Sequence, residues 1–235
     1  MLIEGAISVK AAVLANKRKI DVVYIDKDKR TKDFSFIINV LKKNNIDYKL
    51  IKREEFAQLN VGKTFGGICA LVEERKNDSF DDGDIFYLDG IEDPFNLGYI
   101  IRTLYAFGIK NIILPLKDYT NIEGQLIKSS AGAFEYANII FEEDVLHRIL
   151  NLKKNGYTVY SLKRGDDAYD IFDEKFDKKC VFLLGGEKRG ISSKLLELSD
   201  RFLFVPYGSN FRNSLSAVSC ADVVATLIFG QRKND

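Results

Sequence analysis

Past residue 84 the chain alternates short apolar runs with stretches of helical spacing, and this pattern constrains the fold more than any other feature. Ile85-Phe86-Tyr87-Leu88 is apolar at every position, as expected of a strand buried on both faces of a parallel sheet. A helix is expected over 96–107, with Gly108 just beyond its end. Strands follow at 111–115, 157–162, 180–184 and 201–206, helices at 144–155 and 214–229, with Gly156 as a stop. Strand and helix in this order give a mostly parallel α/β sheet, which binds ligands at the carboxyl ends of its strands.

Residues 73–84 are polar and turn-rich and separate this region from a smaller one. Before them, helices are expected at 8–15 and 33–43, the second from Phe34, Ile37, Ile38 and Leu41. Strands are expected at 22–25, 48–51 and 67–73. The division is a small α/β domain over 1–75, a linker over 76–84 and a larger α/β domain over 85–235.

Charge follows the same division. Residues 1–75 carry 15 Lys and Arg against 10 Asp and Glu, while 76–235 carry 20 against 24. A basic N-terminal part facing a polyanion is one reading and a solvated Lys-rich surface is the other. Cys69, Cys180 and Cys220 are far apart, and His147 is the sole histidine. No disulfide scaffold or His-rich or Cys-rich metal site is expected, which fits a reducing cytosol. Neither a signal peptide nor a membrane-spanning run is expected.

Three clusters sit at expected strand ends. The first holds Asn96, Gly98 and Arg102, with Asn96 as a helix cap and Gly98 and Arg102 on one helix face. The second is Leu184-Gly185-Gly186-Glu187-Lys188-Arg189-Gly190, whose glycines let backbone amides approach a ligand. Its spacing is neither that of a dinucleotide fingerprint nor that of a P-loop. In the third, Val205-Pro206 leads through a polar turn to a helix opened by Asn213 or Ser214, followed by Leu215 and Ser216. Taken singly, each is also what an ordinary helix start or glycine turn would look like.

In order and spacing, the clusters resemble motifs 1, 2 and 3 of the SpoU/TrmH family of SPOUT RNA ribose 2′-O-methyltransferases. Ile3-Glu4-Gly5 with Val9-Lys10, and 62–70, resemble that family's substrate-binding domain, which is similar to ribosomal protein L30e. The resemblance implies an L30e-like domain followed by a SPOUT domain with a C-terminal trefoil knot. It implies S-adenosylmethionine as cofactor, held by Gly185, Gly186, Gly190, Val205, Pro206, Ser214 and Leu215. Asn96, Arg102, Glu187 and Ser216 take the catalytic places, with Arg102 either the base or a phosphate clamp that lowers the 2′-OH pKa. A 2′-OH acceptor means RNA, ribosomal ahead of transfer RNA, and Lys10, Lys17, Arg18, Lys19 and Lys63 are the expected phosphate contacts. A homodimer through the C-terminal helix is also implied, with no metal and no membrane. A non-catalytic RNA-binding relative is the alternative, because Ser216 stands where the family has Asn. Phe65 stands where many relatives have His, and the stretch from 206 to 215 is one residue longer than usual.

Overall fold

The computed structural model describes residues 1–62, 65–186 and 188–233. The first elements in chain order are β1 (Leu2–Glu4), α1 (Ala6–Ala15), β2 (Ile20–Asp26), α2 (Lys32–Lys43), β3 (Tyr48–Ile51), a 3₁₀ turn (Arg53–Leu59) and β4 (Ile68–Val72). Then come β5 (Ile85–Asp89), α3 (Pro94–Ala106), β6 (Asn111–Pro115), α4 (Thr120–Ser129), α5 (Ala133–Tyr136) and β7 (Asn138–Glu142). The chain ends with α6 (Val145–Lys154), β8 (Thr158–Leu162), β9 (Tyr169–Asp170), β10 (Cys180–Gly185), α7 (Ser193–Leu196), β11 (Arg201–Phe204) and α8 (Ala217–Arg232).

The residues form two compact units, one of 1–76 with 118–136 and the other of 77–117 with 137–235. The first contains a four-stranded mixed sheet in the order β1-β4-β2-β3, with β2 and β3 parallel. Thr31 caps α2 by accepting from Phe34 N at 3.1 Å, and Phe34, Ile37 and Leu41 are buried. Residues 118–136, which follow the expected linker in sequence, cluster with this unit in space. The turn between α4 and α5 touches α1 closely. A Cβ on Gly132, whose φ is +87°, would stand 2.5 Å from Ala11 Cβ.

The second unit is a seven-stranded sheet in the order β7-β6-β5-β10-β8-β11-β9, with every pairing parallel. Alternate residues of each strand go to opposite faces, and both faces are covered. Ile85, Tyr87, Val181 and Leu183 share one apolar cluster with Ile149 and Val159. On Phe86, Phe182 and Tyr160 the rings stack at 5.0 and 5.3 Å. The linker expected over 76–84 is partly pinned down. Asp78 N donates to Ile139 O at 2.9 Å, and Phe141 N donates to Asn77 Oδ1 at 2.7 Å, so side chains and backbone of 77–78 cover the free edge of β7.

From β5 the chain winds outward through β6 and β7. It then crosses to β8 on the other side, and β10 fills the place left between β5 and β8. That reversal creates a crevice at the carboxyl ends of β8, β10 and β11.

Candidate active site

The crevice is a cavity of about 390 Å³. Leu162 and Arg164 of the β8 end border it, with Leu184, Gly185, Gly186 and Gly190 from β10 and its turn. Phe204, Val205 and Tyr207 come from the β11 end, and Ser214, Leu215, Ala217 and Cys220 from the start of α8. Its volume suits a cofactor-sized ligand.

The glycines here are required by close approach. A Cβ on Gly185 would lie 2.5 Å from Ile191 N, and one on Gly186 would overlap the carbonyl of Gly90. Gly186 N donates to Asp89 O at 2.7 Å, and Gly190 N donates to Gly186 O at 2.9 Å. The β10 turn is thus folded on itself and locked to the end of β5. Gly190 has φ +63°, a conformation that a side chain would strain.

A second cavity, of about 120 Å³, is bordered by Gly90, Asp93, Asn96 and Lys188 and shares Gly186 and Ala217 with the first. Asn96 therefore lies beside the larger cavity, but not as a cap. Asp93 caps α3, accepting from Phe95 N at 2.9 Å and Asn96 N at 2.8 Å, with Pro94 in the first turn. That corrects the expectation for Asn96: an aspartate ahead of a proline takes the cap position.

Arg102 borders neither cavity and is exposed on α3. Pro206 follows Val205 but is not part of the larger cavity's lining. The last helix begins at Ala217, later than expected, because Leu215 N donates to the Tyr207 hydroxyl at 2.8 Å and 214–215 stay non-helical. Ser216 is the cap, its Oγ accepting from Ser219 N at 3.1 Å. Glu187 lies outside the described residues. Sequence reasoning missed Arg164 and Tyr207, which carry no motif of their own.

Of the expected RNA contacts, Arg18 is corrected. Its side chain is 1 % exposed and pairs with Glu123 at 2.5 Å and Glu135 at 2.8 Å. Lys10 is held 3.4 Å from Asp33 and lies over the Phe36 ring, and Lys19 pairs with Asp21 and Glu73. Lys17 is half-buried, and Lys63 lies outside the described residues. Phe65 is core, its ring 4.7 Å from that of Phe56.

The sequence matches the SpoU rRNA Methylase family over residues 84–226. The chain belongs to that family. Residues 2–77 match the domain described as RNA 2′-O ribose methyltransferase substrate binding. This member is an RNA 2′-O-ribose methyltransferase that uses S-adenosylmethionine. It is 24 % identical over 243 residues to a Staphylococcus haemolyticus protein named for the TrmH family of tRNA/rRNA methyltransferases, covering 99 % of this chain and 96 % of that one. The fold is that of the SpoU methyltransferase AviRb from Streptomyces viridochromogenes, solved with AdoMet. The TM-score is 0.80 at 19 % identity, covering 99 % of this chain and 90 % of that chain. A further solved structure, the TrmH/SpoU tRNA modifying enzyme of A. aeolicus, has a TM-score of 0.58 at 17 % identity and covers 67 % of this chain and 79 % of that chain. Among the described residues no His, Cys, Asp and Glu group could hold a metal, and no helix is long and apolar enough to cross a membrane.

Proposed function

We propose that this SpoU methyltransferase modifies a ribose 2′-OH of ribosomal RNA, with the methyl donor in the larger cavity and the acceptor nucleotide at the smaller one. The carrying observation is that the two cavities share Gly186 and Ala217 as a common wall. The donor supplies an already activated methyl group, so the protein's part is to align the acceptor and manage one proton.

Gly185, Gly186 and Gly190 fit the donor because these three residues line the cavity with backbone and no side chain of their own. Val205, Ser214 and Leu215 close the opposite side, with Leu215 against the adenine, and Pro206 fixes the chain as it leaves β11. Asn96, with Ser216 and Glu187, orients the ribose. Arg102 serves as a phosphate clamp, since a guanidinium stays protonated and is a poor base. Its exposure is accounted for by RNA and by a second copy packing on α3 and α8. A reducing, cytoplasmic setting fits the three free thiols.

Ribosomal RNA is favoured over transfer RNA by domain content. An rRNA methyltransferase from Sinorhizobium meliloti aligns with 99 % of this chain, whereas the tRNA-modifying neighbours align with 67 % and 65 %. Mapping 2′-O-methyl sites in total RNA from cells with and without the gene tests the reading, with an Arg102→Ala strain alongside. One ribosomal site should vanish in both strains. Loss of a transfer RNA site instead would reject the substrate, and no lost site would leave a non-catalytic RNA-binding relative.

A further inference from the structure

Two side chains at the rim of the larger cavity are joined by contacts that the donor-binding motifs do not require. Arg164 leaves the end of β8 and Tyr207 leaves the end of β11. The Arg164 guanidinium carbon stands 4.5 Å from the centre of the Tyr207 ring. Its Nη1 donates to Arg212 O at 3.1 Å and lies 3.5 Å from Asn213 O. The Tyr207 hydroxyl accepts from Leu215 N at 2.8 Å. Tyr207 and Phe211 are also in ring contact, with centroids 6.0 Å apart.

Residues 205–216 contain no helix or strand, so side chains must hold their backbone. The Arg164–Tyr207 pair grips that segment at both ends of its far half, at the 212–213 carbonyls and at the Leu215 amide. A guanidinium can bond these carbonyls and lie over the ring at once because it is planar, with donors spread around its edge; an ammonium cannot do both. Leu215 and Ser214 border the cavity, so whatever fixes the Leu215 amide fixes that wall.

We infer that Arg164 and Tyr207 are positioning residues that hold residues 212–215 as the wall of the methyl-donor site, acting on the donor through Leu215. The inference rests on the reading that the larger cavity takes S-adenosylmethionine. The irregular backbone of this stretch gives the clamp its role: a segment without helix or strand has more conformations to lose, and a pre-set wall spares that loss on binding.

The test uses the full-length protein and the variants Tyr207→Phe, Arg164→Lys and Arg164→Ala, each first shown to melt with the wild-type transition. S-Adenosylmethionine affinity is measured by calorimetry, and trypsin cleavage after Arg212 is followed without and with the donor. Tyr207→Phe should weaken donor binding about fivefold, the worth of one ordinary hydrogen bond. Arg164→Lys should behave like Arg164→Ala, because charge alone does not make the clamp. All three should speed cleavage after Arg212 in the donor-free protein, and kcat at saturating donor should change less than KM. Full rescue by lysine overturns the clamp in favour of simple charge attraction. Wild-type cleavage rates in all three variants overturn it outright, and faster cleavage with unchanged affinity overturns its role at the donor. If the wild type does not bind the donor, the cavity reading fails, while the cleavage rates still judge whether the pair holds the segment.

Discussion

Gly185 packs so tightly on Ile191 that a Cβ at position 185 would lie 2.5 Å from the Ile191 nitrogen. The returning turn crosses the end of β10 with no room for a methyl group. The close atoms, of Gly190 and Ile191, are all backbone, which cannot swing aside as a side chain would.

Gly185→Ala should therefore cost about 1–3 kcal/mol of stability by overpacking and push the turn into the larger cavity. Gly186→Ala, which would strike the Gly90 carbonyl, should do the same at the wall between the cavities. Urea unfolding and donor calorimetry check both. Wild-type donor affinity in either variant would show that the turn is not the floor of the site.

Arg18 is the structural centre of the first unit. It holds Glu123 and Glu135 inside the protein, and Arg75 lies 4.0 Å from Glu135. Arg18→Ala strands buried carboxylates and should cost about 3–5 kcal/mol, while the salt dependence of RNA binding stays unchanged. Burial raises the pKa of Glu135 against the pull of Arg18 and Arg75. Removing Arg18 raises it further. A carboxylate with a raised folded pKa loses stability as pH rises through that value and regains it as pH falls. The deficit of Arg18→Ala should thus be smaller at pH 5 than at pH 7.5 in urea titrations. An equal or larger deficit at pH 5 would contradict the burial argument.

The same cluster shows why parts of the structure were hidden in the sequence. Lys17-Arg18-Lys19 reads as a basic surface run, yet Arg18 is buried by a glutamate 117 residues further along. Helices α4 and α5 went unread because Gly124 interrupts the first and because their buried positions include Glu123 and Glu135. The late start of α8 depends on Tyr207, eight residues before the amide it holds. By contrast, β5, β6, β8 and β10 were legible because strands buried on both faces must be apolar throughout. The glycine turn after β10 was legible in part, since Gly185 is constrained within six residues by Gly190 and Ile191, whereas Gly186 is constrained by Gly90 far back in the chain. A practical consequence follows for truncation. Residues 118–136 pack with 1–76, so deleting the N-terminal domain would expose Glu123 and Glu135 without their arginine. Point variants are the sounder probe of RNA binding.

The cysteines give a prediction about access. Burial pushes the thiols of Cys69 and Cys180 up to about 12, and it also raises that of Cys220, which borders the larger cavity. At pH 8 iodoacetamide should leave Cys69 and Cys180 intact in the native protein and modify Cys220 slowly. S-Adenosylmethionine should slow that step further. Peptide mapping checks the order, and early labelling of Cys180 would contradict it.

The last prediction concerns quaternary state. Phe95 and Tyr99 are 47 % and 46 % exposed, one turn apart on α3, and Arg102 is exposed three residues on. Helix α8 packs beside α3, with the rings of Phe107 and Phe229 5.5 Å apart, and Phe229 is 44 % exposed. Much of the apolar surplus of α8 is used within the chain, since Val224 and Ile228 are buried. A charge at Val224 would therefore unfold the core rather than test an interface. The exposed aromatics are the better probe, because a second copy could cover them and aromatic anchors dominate such interfaces. Light scattering at low micromolar concentration should give about twice the 26.7 kDa chain mass. Tyr99→Asp should halve that mass with the far-ultraviolet spectrum unchanged, and methyl transfer should fall with it if Arg102 works beside the second copy. A wild-type monomer with full activity, or a Tyr99→Asp variant that remains dimeric, would place the interface elsewhere or remove it.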